Sequence, residues 1–177
     1  MIPIHFVAVV ALLGVGGLEE YALPAAPPPL AASAAAVDAP AHPEARPYDE
    51  TADASEAVAA AMTRAALADK RVIVVMGANW CHDSRALAGW FATPRFAAML
   101  DAKYEVVFVD AGQPASGDLH NAAIARRFGL KTLKGTPTVF VTAPDGTRLN
   151  SAKDAASWRN AASRDEDAIF AYFDSFE

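Results

Sequence analysis

The chain has 177 residues, with 15 Lys and Arg against 21 Asp and Glu, a net charge of -6 and a sequence pI near 5.2. With 53% hydrophobic and 20% charged residues it should fold into a globular unit, and its length allows one domain plus a tail. The acidic balance, without a basic stripe, argues against a nucleic-acid partner. A single cysteine, Cys81, excludes an intramolecular disulfide and a multi-thiolate zinc site.

Ile2 to Leu18 is an apolar run interrupted by Pro3 and His5 and stopped by Glu19-Glu20. It is short for a bilayer span of about 20 residues and has the length and flanks of a signal-peptide core. Residues 1–22 are therefore expected to be a signal peptide, with an uncleaved membrane anchor as the alternative. Either one places the protein in the periplasm or otherwise outside the cytoplasm, with a membrane tether in the second case. From Tyr21 to Pro47 the composition turns to Ala and Pro, with Pro27-Pro28-Pro29 in the middle. Residues 23–50 read as an extended linker, and 51–177 as the folded domain.

Ser55 to Asp69, rich in Ala with Val58, Met62 and Leu67, reads as a helix. Arg71 to Met76 carries Val-Ile-Val-Val, the run of a strand covered on both faces. After Gly77-Ala78-Asn79 a helix begins at Cys81, with Leu87, Trp90 and Phe91 at helical spacing. Thr93-Pro94 starts a second segment running to Leu100. Tyr104 to Asp110 is the next strand, then a polar loop from Gly112 to Asp118 and a helix from about His120 to Phe128, stopped by Gly129. Thr138 to Thr142 and Thr147 to Asn150 flank Pro144-Asp145-Gly146 and predict a hairpin. Ser163 and Glu166 predict a capping box for a last helix to Phe176, whose buried stripe is Ile169, Tyr172, Phe173 and Phe176. The order defines an α/β fold: a small mixed β-sheet with helices on both faces.

Trp80-Cys81-His82-Asp83-Ser84 falls where the buried strand ends and a helix begins. Unpaired N–H groups at a helix start favour a thiolate over a thiol, which makes the sulfur a better nucleophile toward disulfides. His82, if protonated, adds to that effect and Asp83 opposes it.

On these residues the chain resembles the thioredoxin superfamily. Trp80-Cys81-x-x-Ser84 after a Val-rich strand is similar to the family's Trp-Cys-x-x-Cys turn. Thr136-Pro137-Thr138, opening the strand after Phe128-Gly129-Leu130, resembles the cis-proline loop that faces the active-site cysteine. The resemblance implies a thioredoxin-like fold over roughly Ser55 to Phe176 and a cis Thr136-Pro137 bond. It makes Cys81 the nucleophile, with the backbone of Thr136 and Pro137 binding a substrate chain and Trp80 and His82 shaping the groove.

Three features depart from the family pattern. Ser84 stands where the second cysteine would, the family's buried acid falls on Val75, and Lys131 to Gly135 is longer than usual. One-thiol chemistry remains: exchange with protein or glutathione disulfides, released by an external thiol. The alternative is a binding module or chaperone-like protein that kept the groove and lost the redox cycle. Ser84 reads equally as a hydrogen-bond donor to Cys81 and as a first-turn helix residue. His5, His42 and His120 form no ligand spacing with Cys81, so no metal is assigned, and no cofactor is expected.

Overall fold

The computed structural model describes residues 42–113 and 120–176, which fall within one compact unit, Asp38–Glu177. The expected leader at 1–22, the linker as far as residue 41 and most of the loop at 112–118 lie outside the described residues. Among the described residues no helix is long and apolar enough to cross a membrane.

Helix α1 (Ala54–Ala68) starts at Asp53, whose carboxylate accepts the Glu56 N–H at 2.9 Å. It stops at Asp69, which takes a left-handed φ of 53°. Its buried face is mostly small (Ala54, Val58, Ala61, Met62, Ala65), which lets it lie close to the sheet, while Leu67 points outward at 85% exposure. Strand β1 (Arg71–Gly77) runs parallel to β2 (Tyr104–Asp110) and antiparallel to β3 (Thr138–Thr142), giving the order β2-β1-β3.

Successive side chains of a strand point to opposite faces. Val72, Val74 and Met76 enter one core with α1, Ile124, Phe128 and Phe140. Ile73 and Val75 enter the other with Leu87, Phe96, Trp158, Ile169 and Phe173. That second face is covered by α2 (His82–Phe91), α3 (Pro94–Lys103) and α6 (Glu166–Asp174). The short α4 (Ala122–Arg127) covers the first, and Gly129 ends its chain segment with φ 82°. The α/β expectation stands, with helices on both faces of a mixed three-stranded sheet.

Two local expectations are corrected. Thr147 to Asn150 is not a fourth strand: only an isolated bridge, Thr142 to Arg148, follows the turn at Gly146. Beyond that bridge the edge of β3 is closed by the Leu149 N–H, which donates to the Val141 carbonyl at 2.7 Å, and by the side chain of Asn150. Asn150 Oδ1 accepts the Val141 N–H at 3.1 Å, and its Nδ2 donates to the Val139 carbonyl at 2.8 Å. This side-chain amide replaces a ladder pair, so a further strand residue has nothing left to bond there.

The cap of α6 is Asp165, accepting from the Asp167 and Ala168 N–H groups, not Ser163. Ser163 sits in a 3-10 turn (161–163) and donates to the Asn160 carbonyl. A reciprocal capping box does occur, at Ser151 and Asp154, opening α5 (Ala152–Ala155).

Candidate active site

Cys81 is the N-cap of α2, with extended backbone (φ -81°, ψ 120°), so its sulfur stands at the end of the helix and not along its side. The residue keeps 9% of its surface. Its Sγ lies 3.4 Å from the Thr136 carbonyl oxygen, and the Thr136-Pro137 peptide is cis. Residues 55 positions apart therefore meet at one point, as the resemblance implied. Trp80 is 42% exposed and pinned by its Nε1–H to the Gly112 carbonyl at 2.9 Å, leaving its indole as a fixed wall beside the thiol.

Ser84 and His82 do not join this group. Ser84 is fully buried, and its hydroxyl has no hydrogen-bond partner among the described residues. The Tyr48 hydroxyl donates to the Ser84 backbone carbonyl at 3.3 Å, and burial pushes that phenol far above its ordinary range. A Cβ on Gly77 would fall 2.5 Å from the Tyr48 oxygen and 2.7 Å from Ser84 Oγ, so glycine is what allows these groups to pack beneath the turn. Asp83 leaves the thiol too: its carboxylate accepts the Ala162 N–H at 2.9 Å, tying α2 to the 161–163 turn. With Val75 apolar, the buried carboxylate on this side of the sheet is Asp110. It sits opposite Gly77 at the end of β2, accepts the Gly112 N–H at 2.8 Å and faces His120 Nδ1 at 3.4 Å.

His82 turns toward a segment that composition had assigned to the linker. Residues 42–48 form a strap along α2, in contact with it from His82 to Gly89. The Asn79 side-chain amide clasps both backbone groups of Tyr48, and the Ala45 N–H donates to the Arg85 carbonyl. Gly89 lets the strap lie against the helix, because a Cβ there would collide with the Pro43 carbonyl. Glu44 takes Arg85 Nε at 2.9 Å and faces His82 Nδ1 at 3.1 Å; the Arg85 hydrogen bond holds the Glu44 carboxyl below its usual range. Arg85 also donates to the Asn79 and Trp80 carbonyls, which joins the strap to the active-site turn.

The folded unit thus begins before residue 51, and His42, Glu44 and Tyr48 were missed as neighbours of the site. Their signal was the return of charged and aromatic residues, Glu44, Arg46 and Tyr48, to an otherwise Ala/Pro stretch.

A thiol on a helix N-cap opposite the carbonyl that precedes a cis proline, on a mixed sheet sandwiched by helices, defines a thioredoxin-type site. The family model described as thioredoxin-like matches residues 53–144, just over half of the chain, and the protein belongs to that family. It is similar to the disulphide isomerase of Xylella fastidiosa Temecula1, at 29% identity and TM-score 0.64, over 73% of this chain and 95% of that one. The oxidised C-terminal domain of DsbD from Neisseria meningitidis matches at 24% identity and TM-score 0.42, over 56% of this chain and 81% of that one. No curated protein matches the chain.

Proposed function

We propose that the protein is an exported, single-cysteine thiol–disulfide exchange catalyst that acts chiefly as an isomerase of protein disulfides. The observation that carries this reading is the 3.4 Å approach of Cys81 Sγ to the carbonyl before cis Pro137. An extended client segment laid along Thr136 and Pro137 would present its disulfide to the sulfur. Similarity to a disulphide isomerase along 95% of that protein's length supports the same chemistry.

The Cys81 thiolate attacks one sulfur of a client disulfide, forming a Cys81–client S–S bond as the other client sulfur leaves as a thiolate. A thiolate elsewhere in the client then attacks the client sulfur of this adduct. A new client disulfide forms and the Cys81 thiolate is regenerated, with no net gain or loss of electrons. Net reduction needs two external thiols such as glutathione: the first attacks the Cys81 sulfur and frees the client thiol, and the second attacks the resulting Cys81–glutathione disulfide, releasing the Cys81 thiolate and glutathione disulfide. Ser84 takes no part, because a hydroxyl does not displace sulfur from a disulfide. Thr136 and Pro137 bind the client backbone and Trp80 bounds the groove.

The test is recovery of activity by a ribonuclease whose disulfides have been scrambled. The wild-type chain should accelerate recovery, and Cys81→Ser should fall to the uncatalysed rate while remaining folded. Equal rates for the two would overturn the reading. Client binding without acceleration by the wild type would instead select the binding module.

Export rests on the apolar run Ile2 to Leu18 and on the compartment in which client disulfides persist. A mature protein from the native host that begins at Met1, found in the cytosolic fraction, would refute it.

A further inference from the structure

His42 and His82 lie 40 residues apart in sequence, yet their Nε2 atoms are 3.1 Å from each other. The other nitrogen of each ring faces an acceptor. His42 Nδ1 is 3.3 Å from the Pro43 carbonyl oxygen, and His82 Nδ1 is 3.1 Å from Glu44 Oε1. Carbonyl and carboxylate oxygens only accept, so a proton on each Nδ1 satisfies both of these contacts. In that tautomer the two Nε2 lone pairs point into the same small space, and a cation there would take both of them; with a proton on one Nε2 the pair is an N–H···N bond. Together with Glu44 the two rings bring three ligand atoms within 4.8 Å of one another.

The geometry points to a divalent transition-metal cation of the zinc class, bound by His42 Nε2 and His82 Nε2 with Glu44 as its outer-sphere carboxylate. Four observations agree. Zn–N bonds of about 2.0–2.1 Å in a tetrahedral shell separate two imidazole nitrogens by about 3.3 Å, close to the spacing here. The ring centroids are 4.8 Å apart with planes at 64°, closer than a head-on N–H···N bond would hold them, so the lone pairs converge at an angle. A carboxylate on the far nitrogen of a ligating histidine is the usual second partner of such sites, and Glu44 is itself fixed by Arg85. One ligand is held rigidly and the other is open to solvent: His42 keeps 7% of its surface, while the His82 side chain is 59% exposed. Water or a small anion can complete the shell from that side. Imidazole nitrogen suits zinc, copper and nickel, not magnesium or calcium.

The ligands come from two segments, so the cation would staple the 42–48 strap to the residue after Cys81. This site does not depend on the exchange chemistry.

The experiment uses the full chain and Zn²⁺, with binding read by competition against a chromophoric chelator at neutral pH. Wild type and Cys81→Ser should each take up one equivalent with the same affinity. His82→Ala, at an exposed position that cannot threaten the core, should weaken binding at least tenfold, and His42→Ala should do the same. Glu44→Gln should weaken it by about 10–100-fold, the usual effect of removing an outer-sphere partner. In nitrogen-15 spectra of the wild type, Zn²⁺ should move the Nε2 signals of both rings and leave Nδ1 protonated. Three results would overturn the assignment: binding that survives His82→Ala, binding lost in Cys81→Ser, or ring signals that do not respond to Zn²⁺. The last would leave an N–H···N hydrogen bond as the link between the rings.

Discussion

Ser84→Cys is expected to give the proposed monothiol catalyst a dithiol cycle, the largest functional change that one substitution could bring. Cys81 is the N-cap of α2 and Ser84 is the third residue into the helix, the spacing at which the family's Cys-x-x-Cys turn closes. In the proposed cycle a Cys81–client adduct is released by a thiolate of the client or, where the client offers none, by an external thiol, because the chain has a single cysteine. A thiol at position 84 would attack that adduct intramolecularly, and well-oriented intramolecular attack reaches effective concentrations of about 10⁵–10⁸ M. Even a small fraction of that advantage outruns millimolar glutathione.

The expected readout is an adduct lifetime shortened by at least about 100-fold, since effective concentrations of that order compete with an external thiol. It should be accompanied by an oxidised form lighter by two hydrogens. The packing also sets a cost. The Ser84 side chain is fully buried near Gly77 and Tyr48, so the larger sulfur has to be accommodated within close packing. If the new thiol were alkylated independently of Cys81 and the adduct lasted as long as before, the turn would not have the geometry of the family's redox site.

How far the sequence disclosed this site depends on which kind of interaction held each part. Strand β1 was readable because Val72 to Val75 are apolar on both faces, and burial on both faces is what a continuous run encodes. The Cys81 and Pro137 pairing was readable because each belongs to a short motif of fixed position in a fold. The strap was hidden, since much of its attachment runs through backbone groups: the Asn79 amide on Tyr48, the Ala45 N–H on Arg85, and the bare face of Gly89, with Tyr48 its one buried aromatic side chain. Such contacts leave no hydrophobic period. Ala and Pro therefore read as spacer, and the spacing test matched His42 with Cys81 when its partner is His82. The fourth strand failed for a related reason. Pro144-Asp145-Gly146 does turn the chain, but Asn150 satisfies the β3 edge with its side chain, a substitution that turn chemistry does not announce. Ser163 and Asp165 compete for one helix start, and the nearer acid won.

The second large effect is expected in the core, from Trp158→Ala. Trp158 lies in a single 3-10 turn (156–158), a local structure with little stability of its own, yet it is fully buried. Its ring stacks on Phe173 at 4.9 Å, meets the edge of Tyr172 at 4.9 Å, and carries the Arg164 guanidinium 4.0 Å above its face. These partners belong to α6 and the segment before it, so the indole joins the last quarter of the chain to Val139 and Val141 of the sheet. Removing it exposes a void that the strand backbone cannot close, because β3 is held on one side by β1 and on the other by Asn150. Truncation of a buried Trp costs about 3–5 kcal/mol, the removed transfer energy plus the cavity left behind. A domain of this size is stable by about 5–15 kcal/mol, so Trp158→Ala should shift the urea midpoint far down with little change in slope. Leu67→Ser supplies the contrast. Leu67 is 85% exposed on α1, and its replacement should leave the unfolding free energy within about 0.5 kcal/mol of wild type and the midpoint nearly unmoved. Equal loss in both variants would mean that the α6 core does not carry the stability assigned to it. Loss confined to Trp158→Ala, with the Cys81–Thr136 contact intact in the folded fraction, would show that the scaffold and the reactive turn can be altered separately.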